Sequence, residues 1–251
     1  MNKFMFDYVL LGIIQGITEF LPVSSSGHLV IIQRLLGITQ SQIAISVVLH
    51  LGTAFAFVVF FFKDLLKLLN NFRLLLLLFI TTVITAILGL LGKDFFESLF
   101  ISTIPVAIAL IATGFTLILT KKFMEGGRNS ISFKDALILG FTQSIAIIPG
   151  ISRSGITIST LLFRRMDREN SFRFSFLAAI PVIFGAAIVE AKDIYFAIKT
   201  EIGNLLVGFI VSFLVGVISL NILKIILKKA KLYYFGYYCI IIAIITLLFI
   251  R

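Results

Sequence analysis

The chain has 251 residues, of which 59% are hydrophobic and only 14% are charged, and its formal net charge is +10. Soluble domains carry about 25% charged residues, so this composition excludes an ordinary soluble domain and is typical of an integral membrane protein. The basic residues cluster between apolar runs, as membrane topology requires, so we expect a bilayer as the environment and no nucleic-acid partner.

The first predicted element is a helical hairpin over residues 6–36 that enters the membrane and returns without crossing it. Its sequence is apolar, is interrupted at Pro22, and then becomes apolar again. Proline disfavours helix at the residue before it, and the three serines that follow are residues that favour helix N-caps. Gln15 and Glu19 are four positions apart, so they share one face of the first helix.

Six apolar runs are each about long enough to cross a ~30 Å hydrocarbon core. They cover residues 43–62, 74–92, 103–120, 174–191, 203–223 and 232–250. Between the third and the fourth lies the run 135–163, which is broken at Pro149-Gly150. This run is flanked by basic residues on both sides, so we predict a second re-entrant hairpin that starts and ends on the same side.

Basic connections fix the orientation, because they favour the cytoplasmic side of a membrane. They lie at 63–73, 121–134, 164–173 and 224–231, the last of which contains Lys224, Lys228, Lys229 and Lys231. With these connections inside, the first span runs from outside to inside. The N- and C-termini are then both expected outside the cell membrane.

The two predicted hairpins are related in sequence. Adding 128 to a residue number pairs Gly12 with Gly140, Gln15 with Gln143, Ser24 with Ser152, Ser26 with Ser154 and Gly27 with Gly155. Each half, approximately 1–128 and 129–251, is then one re-entrant hairpin plus three transmembrane helices, and the odd number of crossings inverts the second half. We predict one all-α polytopic membrane domain over 1–251, an inverted-topology repeat whose functional site lies where the two breaks meet.

The breaks carry the polar groups that can support chemistry. Each break presents a helix N-terminus, which binds anions such as phosphate through its free N–H groups. Arg153 adds a planar fork that suits two phosphate oxygens. Glu19 and Arg153 are ionisable residues at membrane depth, where such residues are functional by default. Hydroxyl groups, His28, a carboxylate and an arginine around one anion pocket favour phosphoryl transfer over simple binding.

Two further ionisable residues, His50 and Glu190, lie within predicted spans. Neither has a clustered partner in the sequence, so we expect both to be structural. The second hairpin has Ile147 where the repeat would place a second copy of Glu19. The halves have therefore diverged, which favours an enzyme over a symmetric transporter. An inverted-repeat transporter or a lipid flippase is the alternative.

The run QGITEFLPVSSSGH resembles the first signature of the undecaprenyl pyrophosphate phosphatases (the bacitracin-resistance protein family), and PGISRSGIT resembles the second. FSFLAAIPVIFGA and HLGTAFAFVVFF are also similar to family segments, so the resemblance covers essentially the whole chain. It implies a membrane phosphatase that converts a polyprenyl diphosphate to the monophosphate, recycling the carrier lipid for wall polymers and giving bacitracin resistance. It also implies an active site that faces the extracytoplasmic side.

The resemblance also implies roles for individual residues. Ser25 is the expected nucleophile, with His28 as its neighbour. Glu19 or His28 is expected to take the proton of the Ser25 hydroxyl. In the alternative, water attacks directly and Ser25 has only a positioning role. Arg153 is expected to act in catalysis by neutralising the charge on the transferred phosphoryl group. The remaining polar residues are expected to bind the substrate: Gln15, Ser24, Ser26, Ser152, Ser154 and Thr157. The family requires a divalent cation, Mg²⁺ or Ca²⁺, with Glu19 and Gln15 as the expected ligands. Because position 15 is Gln where many members have Glu, a scheme with two carboxylates on the metal is weakened. The expected partners are the lipid substrate and the bilayer, and a second copy of the chain in a homodimer is a further candidate partner.

Overall fold

The computed structural model describes residues 3–39, 41–123, 127–228 and 231–250. Its regular elements are helices, which confirms the all-α prediction for the described part of the chain; one isolated bridge joins Arg128 and Met166. Helices α1 to α12 span Lys3–Thr18, Ser25–Leu36, Gln42–Phe60, Phe62–Leu69, Phe72–Leu91, Lys93–Ser98, Thr103–Leu119, Phe133–Ile145, Arg153–Phe163, Arg168–Val189, Ala191–Lys228 and Tyr233–Phe249.

Five of the described helices are long and apolar enough to cross a membrane. They are α3, α5, α7 with the 3₁₀ turn that follows it, α10, and the 32 residues of α11 from Ala191 to Ile222. The sixth predicted run forms α12, an apolar helix of 17 residues, which is at the lower end of the roughly 17–25 residues that a span needs. The prediction of a multi-pass membrane protein is confirmed.

Three connections that hydropathy predicts to be loops contain helix instead. The first holds α4, which buries Leu68 in a core cluster with residues of α5. The second holds α6, and the third is the beginning of α11. Within α11, Glu201 leaves the helical conformation at φ −141° and ψ 31°, and Tyr8 of α1 donates a hydrogen bond to its carboxylate at 2.6 Å. Short amphipathic helices escape a hydropathy window because their charged residues lower the average.

The two predicted hairpins are formed by α1 with α2 and by α8 with α9. Their breaks cover residues 19–24 and 146–152. The predicted N-caps are confirmed: Ser24 accepts a hydrogen bond from the Gly27 N–H at 3.2 Å, and Ser152 accepts one from the Gly155 N–H at 3.0 Å. These caps satisfy N–H groups that would otherwise be left unpaired at the start of each second helix.

The two ends of the second hairpin lie next to each other, as a hairpin that starts and ends on one side of the membrane requires. The backbone N–H of Arg128 donates to the Arg165 carbonyl at 3.1 Å, and the Arg128 carbonyl accepts from the Asp167 N–H at 3.0 Å. Asp135, fully buried in the first turn of α8, pairs with the guanidinium groups of Arg128 and Arg164. The basic connections on either side of the hairpin are therefore joined directly.

Contacts also join the other basic connections into one end of the molecule, which we call the basic end. Arg73 donates to the Ile131 carbonyl at 3.3 Å, and the Lys121 ammonium lies 5.4 Å from the centre of the Tyr233 ring. Lys229, which belongs to the fourth basic connection, lies outside the described residues. The grouping of these connections at one end is what the predicted topology requires.

Glu190 has a partner that the sequence did not indicate. Its carboxylate lies 2.9 Å from the ammonium of Lys93, and this hydrogen bond raises the pKa of Lys93 above its ordinary value. This pairing agrees with the expected structural role of Glu190. The pair joins α6 to the end of α10, at the end of the bundle opposite the basic end.

The two breaks are in contact, and the contact is reciprocal under the 128-residue alignment. A Cβ on Gly27 would lie 3.0 Å from the Gly150 Cα, and a Cβ on Gly155 would lie 3.5 Å from the Pro22 Cβ. In that alignment Gly155 corresponds to Gly27 and Gly150 to Pro22. Ser24 reinforces the contact, since its hydroxyl accepts from the Gly150 N–H at 3.2 Å. The inverted repeat itself stays a prediction.

Gly150 is a position in the second break that cannot accommodate a side chain. Its φ is +100°, and a Cβ there would lie 2.3 Å from the Val106 carbonyl oxygen of α7. Backbone strain and overpacking together lead us to expect that Gly150→Ala lowers the free energy of unfolding by about 3 kcal/mol or more. Thermal unfolding in detergent measures this. Gly203→Ala is the control, because Gly203 is an exposed glycine in α11 with open space around it; equal Tm values for the two variants would contradict the placement of the break against α7.

Candidate active site

Glu19 lies immediately after α1, at the centre of a buried polar cluster. Ser25 donates a hydrogen bond to its Oε2 at 2.6 Å, and Gln15 Nε2 donates to the same oxygen at 3.0 Å. Arg153, from the second hairpin, donates to the other carboxylate oxygen through Nη2. Only 4% of Glu19 is exposed, so these partners replace water around the carboxylate. Residues of both breaks therefore meet at one side chain.

Gln15 and Glu19 reach the cluster because the last turn of α1 keeps helical geometry up to the break. The Glu19 N–H donates to the Gln15 carbonyl at 3.0 Å, which places the two side chains one turn apart on the same face. Gln15 is also held by Thr53 of α3, at 3.1 Å from its Nε2. The predicted i, i+4 pair on one helix face is confirmed.

His50 of α3 belongs to the same cluster, so the expectation that it has no clustered partner is wrong. Its Nε2 lies 3.2 Å from Glu19 Oε2 and 3.3 Å from the Ser25 hydroxyl. Its Nδ1 lies 2.7 Å from the Ser46 carbonyl, which can only accept, so Nδ1 carries a hydrogen. This contact orients the other ring nitrogen toward Ser25 and Glu19. The partners are distant in sequence, and only the fold brings them together.

His28 lies outside this cluster. Its Nδ1 is 2.8 Å from the Ser24 carbonyl and its Nε2 is 2.9 Å from the Tyr238 hydroxyl, with the two rings nearly parallel at 3°. These contacts tie the N-terminus of α2 to α12. The structure does not bring His28 to the Ser25 hydroxyl; the ring nitrogen beside that hydroxyl is Nε2 of His50.

The remaining predicted substrate-binding residues differ in orientation. Ser24 and Ser26 lie 3.3 Å apart through their hydroxyl oxygens, and Ser152 and Ser154 lie 3.4 Å apart, so each break contributes a pair of hydroxyls to the cavity beside Glu19. Thr157 points elsewhere: it contacts Ser175 of α10 at 2.5 Å and donates to the Arg153 carbonyl at 2.7 Å. Its side chain is placed to support α9 rather than to meet a ligand.

A cavity of about 190 Å³ lies over the cluster. Its polar part is formed by Glu19, Ser25, His50, Arg153 and the serines of both breaks, and its wall is apolar. Apart from Ala146, Ile147 and Ile151 of the second break, the wall side chains come from the first turns of α3, the last turns of α10 and the residue Phe100 that precedes α7. Each of these segments lies toward the end opposite the basic end, so the cavity extends from the breaks in that direction.

Several buried polar atoms at the site make no hydrogen bond within the described chain. They are Arg153 Nη1 and Gln15 Oε1 in the cluster around Glu19, and a third such atom, Gln143 Oε1, belongs to a residue that lines the cavity. An unpaired buried polar group costs about 1–3 kcal/mol, and a site retains such groups when a ligand completes them. The guanidinium nitrogen can donate to a phosphate oxygen, and the amide oxygen is a ligand that a hard divalent cation accepts.

The donors fit a divalent cation that is partly held by substrate. Among the described residues, no group of three or more His, Cys, Asp or Glu side chains could hold a metal ion. Mg²⁺ is commonly held by one or two carboxylates together with substrate phosphates, and not by a cage made of protein alone. The Glu19 carboxylate and the unpaired Gln15 oxygen match that pattern.

The chain matches the model of the family described as "Bacitracin resistance protein BacA" over residues 8–245. It belongs to this family. The match covers the second hairpin and five of the apolar runs completely, together with most of the first hairpin and of the run that forms α12. The sequence resemblance carried by the two motifs is thereby confirmed over almost the whole chain.

Curated relatives of this family match the chain from end to end. The undecaprenyl-diphosphatase of Halothermothrix orenii is 42% identical, with 97% of each chain covered. Those of Alkaliphilus metalliredigens and Methanosphaera stadtmanae are 39% and 38% identical, each with at least 96% of both chains covered. These relatives are named as phosphatases, and none of the three names describes a transporter.

Proposed function

We propose that this chain is an integral membrane undecaprenyl-diphosphatase, which hydrolyses undecaprenyl diphosphate to undecaprenyl monophosphate and phosphate. The reaction regenerates the lipid carrier for cell-wall polymers. It also removes the diphosphate form, and this removal gives bacitracin resistance. One observation carries the proposal: Ser25, Glu19, His50 and Arg153 meet at a single point inside a bundle of membrane helices. The family and its named relatives agree with this chemistry.

The cavity suits a lipid diphosphate because its two parts differ in polarity. The diphosphate would lie against the hydroxyl groups of both breaks, with Arg153 Nη1 completing its hydrogen bonds on a phosphate oxygen. The polyprenyl chain would leave along the apolar wall formed by Ile43, Val47 and Val182. That path lies between α3 and α10, so the tail would reach the bilayer while the headgroup stays in the cavity.

The first chemical step is attack by the Ser25 hydroxyl on the terminal phosphorus. The new Ser25 Oγ–P bond forms as the bond from phosphorus to the bridging oxygen breaks, and the lipid monophosphate leaves. The serine proton passes to Glu19, which already accepts it in a 2.6 Å hydrogen bond. Arg153 stabilises the charge on the transferred phosphoryl group, the role that arginine takes in phosphoryl transfer.

The second step releases phosphate from Ser25. Water attacks phosphorus, the P–Oγ bond breaks, and Ser25 recovers its proton. His50 Nε2 lies within 3.3 Å of both Ser25 and Glu19, so it can move protons between this pair and the cavity. Direct attack by water, with Ser25 only positioning the substrate, is the alternative for the first step.

A divalent cation, Mg²⁺ or Ca²⁺, is part of the proposal. Glu19 and Gln15 would hold it together with the diphosphate. When bound, the cation supplies positive charge that neutralises the phosphate oxygens. Chelation should therefore lower phosphate release, and added Mg²⁺ or Ca²⁺ should restore it.

The orientation proposed for the membrane places the cavity on the extracytoplasmic side. The cavity extends away from the basic end, and basic connections favour the cytoplasm. In this orientation both termini lie outside the cell membrane. The homodimer remains a prediction that the association state in detergent would test.

Phosphate release by the pure protein tests the proposed function. The protein in detergent is given undecaprenyl diphosphate with Mg²⁺ or Ca²⁺, and we expect one phosphate and one lipid monophosphate for each substrate consumed. A protein that releases no phosphate under these conditions, but carries the lipid across vesicle membranes, would be a flippase instead.

The two histidines provide a sharper prediction. We expect His50→Gln to lower kcat by about 10²-fold and to change the pH profile, because His50 contacts Ser25 and Glu19. His28→Gln should lower Tm and leave kcat close to that of the wild type, because His28 and Tyr238 hold α2 against α12. Tyr238→Phe should reproduce part of the loss of Tm. Kinetics and thermal unfolding of the three variants decide the matter. A larger loss of kcat in His28→Gln than in His50→Gln would contradict the assignment.

A further inference from the structure

The basic end contains a second cavity that the proposed reaction does not use. Its volume is about 210 Å³, and it lies between α5, α10 and the connection that precedes α8. It shares no lining residue with the cavity over Glu19.

The rim of the second cavity is cationic and polar. Arg73 and Arg173 line it from α5 and α10, and three asparagines lie around them. Arg73 donates to the Ile131 carbonyl at 3.3 Å, which holds its guanidinium group against the connection. Arg173 donates to Asp64 at 2.7 Å, while its enclosed Nε has no partner in the described chain. No Asp or Glu is among the described residues that line the cavity, and the Asp64 carboxylate that Arg173 contacts comes from α4 and does not line it.

The floor of the same cavity is apolar. Leu77, Phe174 and Leu177 are each at most 5% exposed and belong to one core cluster. The arginines lie in the first two turns of α5 and α10, and the apolar side chains lie deeper along the same helices. In a bilayer the polar rim would therefore lie at headgroup level and the floor at the level of the first acyl carbons.

We propose that this cavity binds the phosphate group of an anionic membrane lipid. Basic pockets between membrane helices on the side of the basic loops are recognition sites for anionic headgroups. The guanidinium groups of Arg73 and Arg173 supply charge-assisted donors for the phosphate at the rim. The apolar floor adjoins it where the lipid chains begin, which favours a lipid over free phosphate.

The site is a separate feature and not a second copy of the active site. Under the 128-residue alignment, Arg73 corresponds to Glu201 and Arg173 to Ile45. The basic character is therefore absent from the corresponding positions of the other half. A role that depends on these arginines can be lost without touching Glu19, Ser25 or Arg153.

Native mass spectrometry with titrated phosphatidylglycerol tests the proposal. The test variant is Arg73→Gln/Arg173→Gln, and the control is Lys63→Gln/Lys134→Gln, which removes the same charge from exposed residues of the basic end that do not line the cavity. We expect the test variant to bind phosphatidylglycerol at least tenfold more weakly than the wild type, and the control to bind like the wild type. Both should release phosphate from undecaprenyl diphosphate at the wild-type rate in detergent without anionic lipid.

Three results would overturn the inference. Equal weakening in the test and control variants would show only nonspecific attraction to the basic end. Wild-type binding by the test variant would show that the cavity is not the site. Inorganic phosphate that competes with phosphatidylglycerol at equal concentration would identify a site for free phosphate. Arg73→Gln alone, which keeps the Arg173–Asp64 pair intact, provides a second variant if the double substitution unfolds.

Discussion

Arg153→Ala is expected to slow phosphate release by on the order of 10³-fold or more, the lower end of what a phosphoryl-transfer arginine contributes. Arg153 is the cationic side chain that contacts the Glu19 carboxylate from the second hairpin, and its Nη1 has no partner among the residues that the structure describes. Losing it removes both the donor for the phosphate oxygen and the positive charge that the transition state needs. The loss should appear mainly in kcat, measured as phosphate released in detergent at saturating substrate.

Arg34→Ala is the matched control, because Arg34 is the exposed arginine on the second helix of the first hairpin. It should retain wild-type kcat. Arg153→Lys keeps a charge but loses the planar fork, so its kcat should lie between wild type and Arg153→Ala. Since Arg153→Ala also leaves a buried carboxylate without its ion pair, Tm is measured in parallel. A folded Arg153→Ala protein with wild-type kcat would rule out this role for Arg153.

Site residues could be predicted from the sequence where they lie within one motif or where the 128-residue alignment links the two breaks. Gln15, Glu19 and Ser25 lie within one motif, and Arg153 was found because the 128-residue alignment links the two breaks. His50 could not be found this way. It lies in an apolar run on a different helix, and its contacts with Glu19 and Ser25 depend on how α3 packs against the hairpin.

The fold shows the same division between local and long-range information. Proline, glycine and serine determined the two breaks, and hydropathy determined the spans. The helices α4 and α6 were missed, and so was the helical start of α11, because amphipathic segments at a membrane surface look like polar loops in a hydropathy average. The orientation of Thr157 toward Ser175 was missed for a further reason: a position on a helix face does not reveal which neighbour that face meets.

The split of the site between two hairpins has an energetic consequence. A carboxylate at membrane depth is costly by itself, and so is a guanidinium group, but each is the partner of the other. Neither break satisfies its own charge. The ion pair therefore favours the arrangement in which Gly27 and Gly150 are in contact, and that arrangement also assembles the nucleophile and the phosphate donor. The ion pair that stabilises the contact between the breaks therefore also assembles the site.

Ser25→Ala should abolish turnover, with kcat lowered on the order of 10⁴-fold or more, as when a catalytic nucleophile is removed. The hydroxyl donates to Glu19 at 2.6 Å and lies 3.3 Å from His50, so it has both a proton acceptor and access to the cavity. Ser98→Ala is the control, because Ser98 is an exposed serine at the end of α6, outside the cavity. Its kcat should match the wild type.

The same variant separates attack by serine from direct attack by water. Substrate labelled at the terminal phosphate is mixed with the enzyme and quenched in acid within one turnover. If Ser25 is the nucleophile, the wild-type protein carries label on Ser25 and Ser25→Ala carries none. If water attacks directly, no protein is labelled at any time, and Ser25→Ala should retain part of its activity because Glu19 and His50 can still activate water. Label-free wild-type protein together with a partly active Ser25→Ala would therefore assign Ser25 to positioning, and Glu19 would then be the base for water.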